Sequence, residues 1–172
     1  MDFLEQVERH SFLGHEWLLW LWYREDQDQA LYDLGDERVE LLYDDQLVLE
    51  GHLAEAEQSR LKGGAPVHAA EARQALRAGK HVTRAKLRLR KAEREWVFQL
   101  DTASFSLSTV KLPAVLGQQD EERFFERMML IEELEDALDA IFAAFLRERL
   151  STEWSQRAAS LAAWIQAPVE EG

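Results

Sequence analysis

The sequence predicts an α+β domain: an N-terminal apolar helix, an antiparallel sheet of hairpins, then a long amphipathic helix and a short C-terminal one. Three observations carry this. From Val82 to Arg90 apolar and basic residues alternate, and the alternation returns at Trp96, Phe98 and Leu100, which is the period of half-buried strands. Beyond Gly117 the apolar spacing lengthens to three or four residues, the spacing of one helix face. The strand signals and the long helical signal fall in separate blocks, which points to α+β rather than to repeating βαβ units.

The first helix is read from HSFLGHEWLLWLWYRED, His10 to Asp26, which packs Trp17, Trp20, Trp22 and Tyr23 among leucines. It is apolar on every side from Trp17 to Tyr23, and such a helix must be enclosed by its own domain or by a partner. Ser11 is the predicted N-cap, and the polar run Glu25-Asp26-Gln27-Asp28 ends the helix near Arg24. Gln27 to Gly35 reads as a loose linker. Val39 to Tyr43 and Gln46 to Leu49 then form a predicted hairpin about Asp44-Asp45. Glu55 to Lys62 is compatible with a third, polar strand or with helix before the Gly63-Gly64-Ala65-Pro66 breaker.

Ala69 to Arg77 reads as a short helix stopped by a left-handed cap at Gly79. The alternation places Ala85, Leu87 and Leu89 on one strand face and Arg84, Lys86, Arg88 and Arg90 on the other, with Ala92-Glu93-Arg94 turning the chain into the Trp96 to Leu100 strand. Phe105, Leu107 and Val110 to Leu112 continue the sheet or follow its edge as far as Pro113. Phe124, Met128, Ile131, Leu134, Leu138, Ile141, Phe145 and Arg149 mark one helix over Glu121 to Leu150, about 45 Å long. Ser151 is the predicted cap of a last helix through Ile165, buried on Trp154, Leu161, Ala162 and Ile165. The expected organisation is a single domain over residues 1–172, with a disordered tail at 168–172.

A chain of 172 residues, 47% hydrophobic, suffices for one well-filled core. Its net charge of −13 opposes adhesion to nucleic acid or anionic lipid, so any such contact needs a local basic patch. The absence of cysteine excludes disulfides, thiolate chemistry and cysteine-ligated metal centres. The N-terminus lacks the basic and small-residue signature of a secretory signal, and the apolar core of the first helix is far shorter than the ~20 residues of a membrane span. A cytoplasmic protein without membrane association is expected.

No catalytic, cofactor or metal site is predicted, and the chain reads as non-enzymatic. His10 and His15 are five apart, which splays them on a helix, while His52, His68 and His81 are scattered. HEW at His15-Glu16-Trp17 lacks the second histidine of a zinc-protease helix, and no phosphate-cradling glycine loop or nucleophile elbow is present. Adjacent acidic pairs such as Asp44-Asp45, Glu121-Glu122 and Glu132-Glu133 point apart and serve solubility or helix-end electrostatics.

Two surface features remain. Between Glu71 and Glu95 there are nine Lys or Arg against three Glu. Arg84, Lys86, Arg88 and Arg90 would stand about 6.6 Å apart on one strand face, comparable with phosphate spacing along a nucleic-acid strand. They are the candidate residues for nonspecific, salt-sensitive DNA binding. The opposing reading is a solvated sheet face, or one neutralised by the helix carrying Glu132, Glu133, Glu135, Asp136 and Asp139. Phe124, Phe125, Met128 and Met129 give the long helix more apolar width than one sheet needs, and are the candidate interface with a homodimer mate or a protein partner.

Several blocks resemble the C-terminal half of RdgC-like recombination-associated proteins of bacteria: FLGHEWLLWLWYRED at Phe12 to Asp26, LKGGAP at Leu61 to Pro66, EARQALRAGK at Glu71 to Lys80, LDTASFSLSTVKLP at Leu100 to Pro113, and ERMMLIEELEDALDAIFAAFLRERLSTEW at Glu126 to Trp154. The resemblance implies nonspecific DNA binding connected with recombination, in some members through a ring-shaped dimer that restrains the RecA recombinase. This chain begins just before the FLG block, so the larger N-terminal part of such proteins is expected to be missing. Its acidity also departs from a ring that binds DNA alone. Two functions are therefore expected: an RdgC-like accessory of DNA metabolism, or an acidic protein–protein adaptor that does not bind DNA.

Overall fold

A computed structural model describes residues 3–51 and 58–169. In chain order the elements are α1 (Phe3–Asp26), β1 (Leu31–Asp33), β2 (Arg38–Glu50), β3 (Ser59–Lys62), a 3-10 turn at Pro66–His68, α2 (Ala70–Arg77), β4 (His81–Lys91), β5 (Arg94–Asp101), β6 (Ser106–Lys111), α3 (Asp120–Arg149) and α4 (Trp154–Gln166). The strands form one antiparallel sheet in the order β1-β2-β4-β5-β6, with β3 also paired to β2. The α+β class, the N-terminal helix and the long-plus-short C-terminal helices are as the sequence predicts.

Local differences have identifiable causes. Helix α1 starts at Phe3, well before Ser11, because the preceding residues are sound helix formers and the serine does not interrupt them. The expected hairpin about Asp44-Asp45 is one continuous strand. Its pairing with β4 jumps from Tyr43↔Leu87 to Leu47↔Ala85, so Asp44, Asp45 and Gln46 stand against Lys86 alone. The acidic pair therefore makes a bulge, which bends a strand without reversing it. Of the expected Glu55 to Lys62 strand, Ser59–Lys62 is observed and residues 55–57 lie outside the described part, as do residues 170–172 of the expected disordered tail.

Other punctuation behaves as read. Gly79, at φ 85°, follows α2 with its N–H bonded to Leu76 O at 3.0 Å and that of Lys80 bonded to Ala75 O at 3.1 Å, the paired bonds of a Schellman cap. The β4–β5 hairpin turns on Ala92 and Glu93. Ser151 does not open α4: its hydroxyl donates to Glu148 O at 2.8 Å and so closes α3. In α4 the buried residues are Leu161 and Trp164; Ala162, expected inside, is exposed.

The core lies between one sheet face and the helices. Trp17, Leu18, Trp20, Leu21 and Trp22 of α1 are all buried, against Leu41, Leu47 and Leu49 of β2, Leu87 and Leu89 of β4, Trp96 and Phe98 of β5, and Ile141 and Phe145 of α3. The enclosure demanded by the all-round apolar helix is thus met within the chain. Indole N–H groups, costly to bury unpaired, tie elements together: Trp20 donates to Glu148 at 2.7 Å, Trp22 to Val67 O at 3.0 Å, Trp164 to Asp26 at 2.6 Å and Trp96 to Leu130 O at 2.9 Å. From α2, buried Arg73 stacks 3.7 Å over Trp164 and bonds its carbonyl, while Arg77 donates to Ile165 O, so two guanidinium groups meet the negative end of α4.

Helix α1 approaches the sheet so closely at Gly14 that a Cβ there would lie 2.6 Å from Thr102 Cβ and 2.9 Å from its carbonyl oxygen. Thr102 is itself fixed, its hydroxyl and N–H both donating to Thr83 O at 3.0 Å. Gly14→Ala is expected to destabilise the fold by roughly 1–3 kcal/mol, as overpacking does, measured as a lowered midpoint in urea. At the other end of α1, Glu25 accepts the Tyr43 N–H at 2.8 Å. Burial, with the nearby Glu40 and Asp26 charges, pushes its carboxyl from 4.5 up to about 7 despite that bond. The folded chain then holds a proton that the unfolded chain releases, so Glu25's contribution is whole below pH 4.5 and is lost as pH rises through about 7. Glu25→Gln, which keeps an acceptor for Tyr43, is expected to flatten that decline and to melt above wild type at pH 8 but not below pH 4.5, read by thermal denaturation across pH.

Candidate functional site

The basic row lies where the alternation puts it, on the sheet face opposite the helices, but its charges are not open. Arg84 holds Asp101 at 2.8 Å; Lys86 holds Asp45 at 2.9 Å and Asp44 at 3.2 Å; Arg88 holds Asp44 at 2.8 Å and Glu95 at 3.2 Å; Arg90 holds Glu95 at 3.0 Å and Glu40 at 3.4 Å. Four cations face five carboxylates. The neutralising groups come from β2 and β5 on either side, not from the acidic helix as one reading expects; of that helix only Glu133 takes part, joining Lys91 and Arg94 at 2.6 Å each.

The bulge in β2 assembles this network, since it brings both Asp44 and Asp45 within reach of Lys86. Burial raises the Asp44 carboxyl, yet hydrogen bonds from Arg88 and Lys86 outweigh it and leave the group below its ordinary 3.8. The bond from Arg90, reinforced by Arg88, likewise holds Glu95 low. On the cation side, bonds to Asp45, Asp44 and Glu95 raise Lys86, Arg88 and Arg90 respectively. A phosphate approaching this face meets a closed lattice of ion pairs with one carboxylate in excess.

The second feature is the leading end of α3. Trp96 pins the helix at Leu130, the first buried residue of α3, and from Asp120 to Met129 none is buried. Phe124 is 58% exposed, Phe125 56%, Met128 52% and Met129 68%, with Ile131 and Leu116 also exposed. This end is nonetheless firmly built. Gln119 and Glu122 form a reciprocal capping box, and Glu126 accepts the N–H groups of Leu116 at 2.9 Å and Gly117 at 2.9 Å, which hold its carboxyl low. A well-capped helix end with an exposed apolar face is the result.

Of the concavities along α3, two bear on function. The larger, about 1160 Å³, lies between the β4–β5 turn and the helix; Leu112, Leu130 and Ala137 line it beside Lys91, Arg94 and Glu133, whose charges are already paired. The smaller, about 390 Å³, is walled by Trp17, Phe105 and Phe142, with Glu135 and Asp139 beside them. No sequence pattern marks the second recess, because its aromatic residues come from three segments far apart in the chain and its carboxylates belong to a generally acidic helix.

The histidines are not gathered as ligands. His15 and His81, remote in sequence, stack with centroids 5.4 Å apart; His68 is in the 3-10 turn, and His10 and His52 lie outside the described side chains. Among the described residues there is no group of three His, Asp or Glu that could hold a metal, and no described helix is long and apolar enough to cross a membrane.

Asp44 is mostly buried between two cations, so Asp44→Asn leaves Lys86 and Arg88 short of charge. We expect a loss of roughly 1–3 kcal/mol near neutral pH. Because the folded carboxyl sits below 3.8, that contribution is present above 3.8 and disappears as pH falls through the folded value. Denaturant unfolding of wild type and variant should therefore differ at neutral pH and converge in strong acid.

No protein-family model matches this chain, and no curated protein is detectably similar to it.

Proposed function

We propose that this chain is an acidic protein-interaction domain that does not bind DNA through its sheet and that docks a protein partner along the outer face of α3. The observation that carries this reading is the contrast between the two candidate surfaces. The cations are spent on neighbouring carboxylates, whereas Phe124, Phe125, Met128 and Met129 of α3 each keep more than half of their surface exposed. Counterion release drives phosphate binding only if the cations are free to replace the counterions. An exposed run of Phe and Met is the composition of an interface core.

The resemblance to RdgC-like proteins supports a setting in DNA recombination, with this chain acting beside a DNA-binding protein. A basic partner suits α3 better than a second copy does, since a second copy would bring the same net −13 to a face that also carries Glu121, Glu132 and Glu135.

Wild type is expected to leave a fluorescent 30-base-pair duplex unshifted at low salt, and the combined change of Arg84, Lys86, Arg88 and Arg90 to Ser is expected to make no difference. Salt-sensitive binding by wild type that this variant loses would overturn the reading in favour of direct DNA contact.

A further inference from the structure

The recess beside Trp17 has a chemistry of its own. Phe142 stands edge-on to Trp17 at 5.0 Å and to Phe105 at 5.6 Å, so three aromatic rings make its walls. Phe105 keeps 42% of its surface exposed and is presented from a backbone position at φ 49°, a conformation unusual for a bulky residue. Glu135 and Asp139 lie on successive turns of α3 at the same recess, both exposed. Among the described residues neither carboxylate has an ion pair or side-chain hydrogen bond, and no Lys or Arg lines the recess.

The acidic groups of the sheet face are paired, whereas these two stand one helical turn apart at the recess and repel each other. Trp17 adds a second unmet need. It is 3% exposed, and its indole N–H has no acceptor among the described residues. Aromatic faces and unpaired carboxylates together select an organic cation. The rings cover an alkyl stem, and the carboxylates take the charge.

From this geometry we infer that the recess binds the lysine side chain of the protein partner. The inference rests on the docking reading above and specifies the partner's chemistry. Two carboxylates on separate turns suit a compact ammonium with three donors better than a planar guanidinium, whose fork matches a single carboxylate. The recess is also continuous with the exposed apolar face: Phe124, Met128, Ile131, Glu135 and Phe142 succeed one another at helical spacing along one side of α3. A partner segment lying along that side sets apolar residues over Phe124 and Met128 and a lysine at Glu135 and Asp139.

The probes are Nα-acetyl-lysine methylamide and its uncharged isostere, Nα-acetyl-norleucine methylamide, followed on the intact chain by ¹H–¹⁵N NMR with the Trp17 indole signal assigned through Trp17→Phe. The lysine probe is expected to bind saturably in the millimolar range, shifting the Trp17 indole and Asp139 amide signals, at least tenfold more tightly than norleucine. Glu135→Gln with Asp139→Asn should abolish the preference while leaving the rest of the spectrum in place. Equal binding of the two probes, no saturable shift, or an unchanged preference in the double variant overturns the inference.

A peptide that spaces two leucines and a lysine along a helix separates the two halves of the idea. It should bind at least tenfold more tightly than the lysine probe, with the gain removed by Phe124→Ser and Met128→Ser while binding of the lysine probe itself persists. Loss of the lysine preference with the leucine gain intact defeats the recess and spares the docking face; a lysine preference without any leucine gain defeats the partner assignment.

Discussion

Burial of α1 is the constraint on which the rest of this fold depends. A helix carrying Trp17, Trp20 and Trp22 on different sides cannot be served by one sheet. The sheet supplies Leu41, Leu87 and Leu89 on one side; α3 supplies Phe145 against Trp20; and the 3-10 turn and α4 close around Trp22, whose ring meets Trp164 edge-on at 5.6 Å. Trp20 and Trp22 carry their indole N–H groups into the core, and the acceptors these find on Glu148 and Val67 fix where those elements sit. Apolar burial supplies the driving force, and these directional bonds set the arrangement.

Once the helices occupy one sheet face, the other is left to charge. The alternation of β4 sends leucines inward and cations outward, and antiparallel neighbours rich in Asp and Glu meet them across the ladder. A row of like charges along one strand is self-repelling, so cross-strand carboxylates relieve it. The same pairing that suits the sheet removes the row from use as a phosphate cradle. The net charge of −13 is then expressed elsewhere, above all along α3.

The sequence made some of this legible and concealed the rest for physical reasons. Periods of two and of about three and a half located β4, β5 and α3, since burial of one face imposes them. Gly79 marked a helix end because only its φ of 85° mattered. The bulge at Asp44-Asp45 was hidden: two adjacent acids between apolar runs look like a turn, and whether the chain reverses there depends on Lys86 and Arg88 reaching them from another strand. The state of the basic row was hidden for the same reason, for a single strand's alternation gives the face on which a cation lies and says nothing of the neighbour opposite it. The widened stripe of Phe124, Phe125, Met128 and Met129 was visible in advance; its exposure follows from where Trp96 catches α3, a contact between residues 34 apart in sequence.

The two ends of α3 divide the labour that one amphipathic stripe would ordinarily perform. From Leu130 onward its apolar residues complete the core. Before Leu130 the stripe continues with no sheet beneath it, kept helical by the capping box and by Glu126 gripping the 116–117 backbone. Helical structure there does not depend on burial, so the face is available without the ordering cost that a disordered segment incurs on binding. The acidic, aromatic recess at Glu135 and Asp139 lies just past Leu130, where α3 enters the core, so on the reading proposed above one partner segment could make both an apolar contact and a charge contact there.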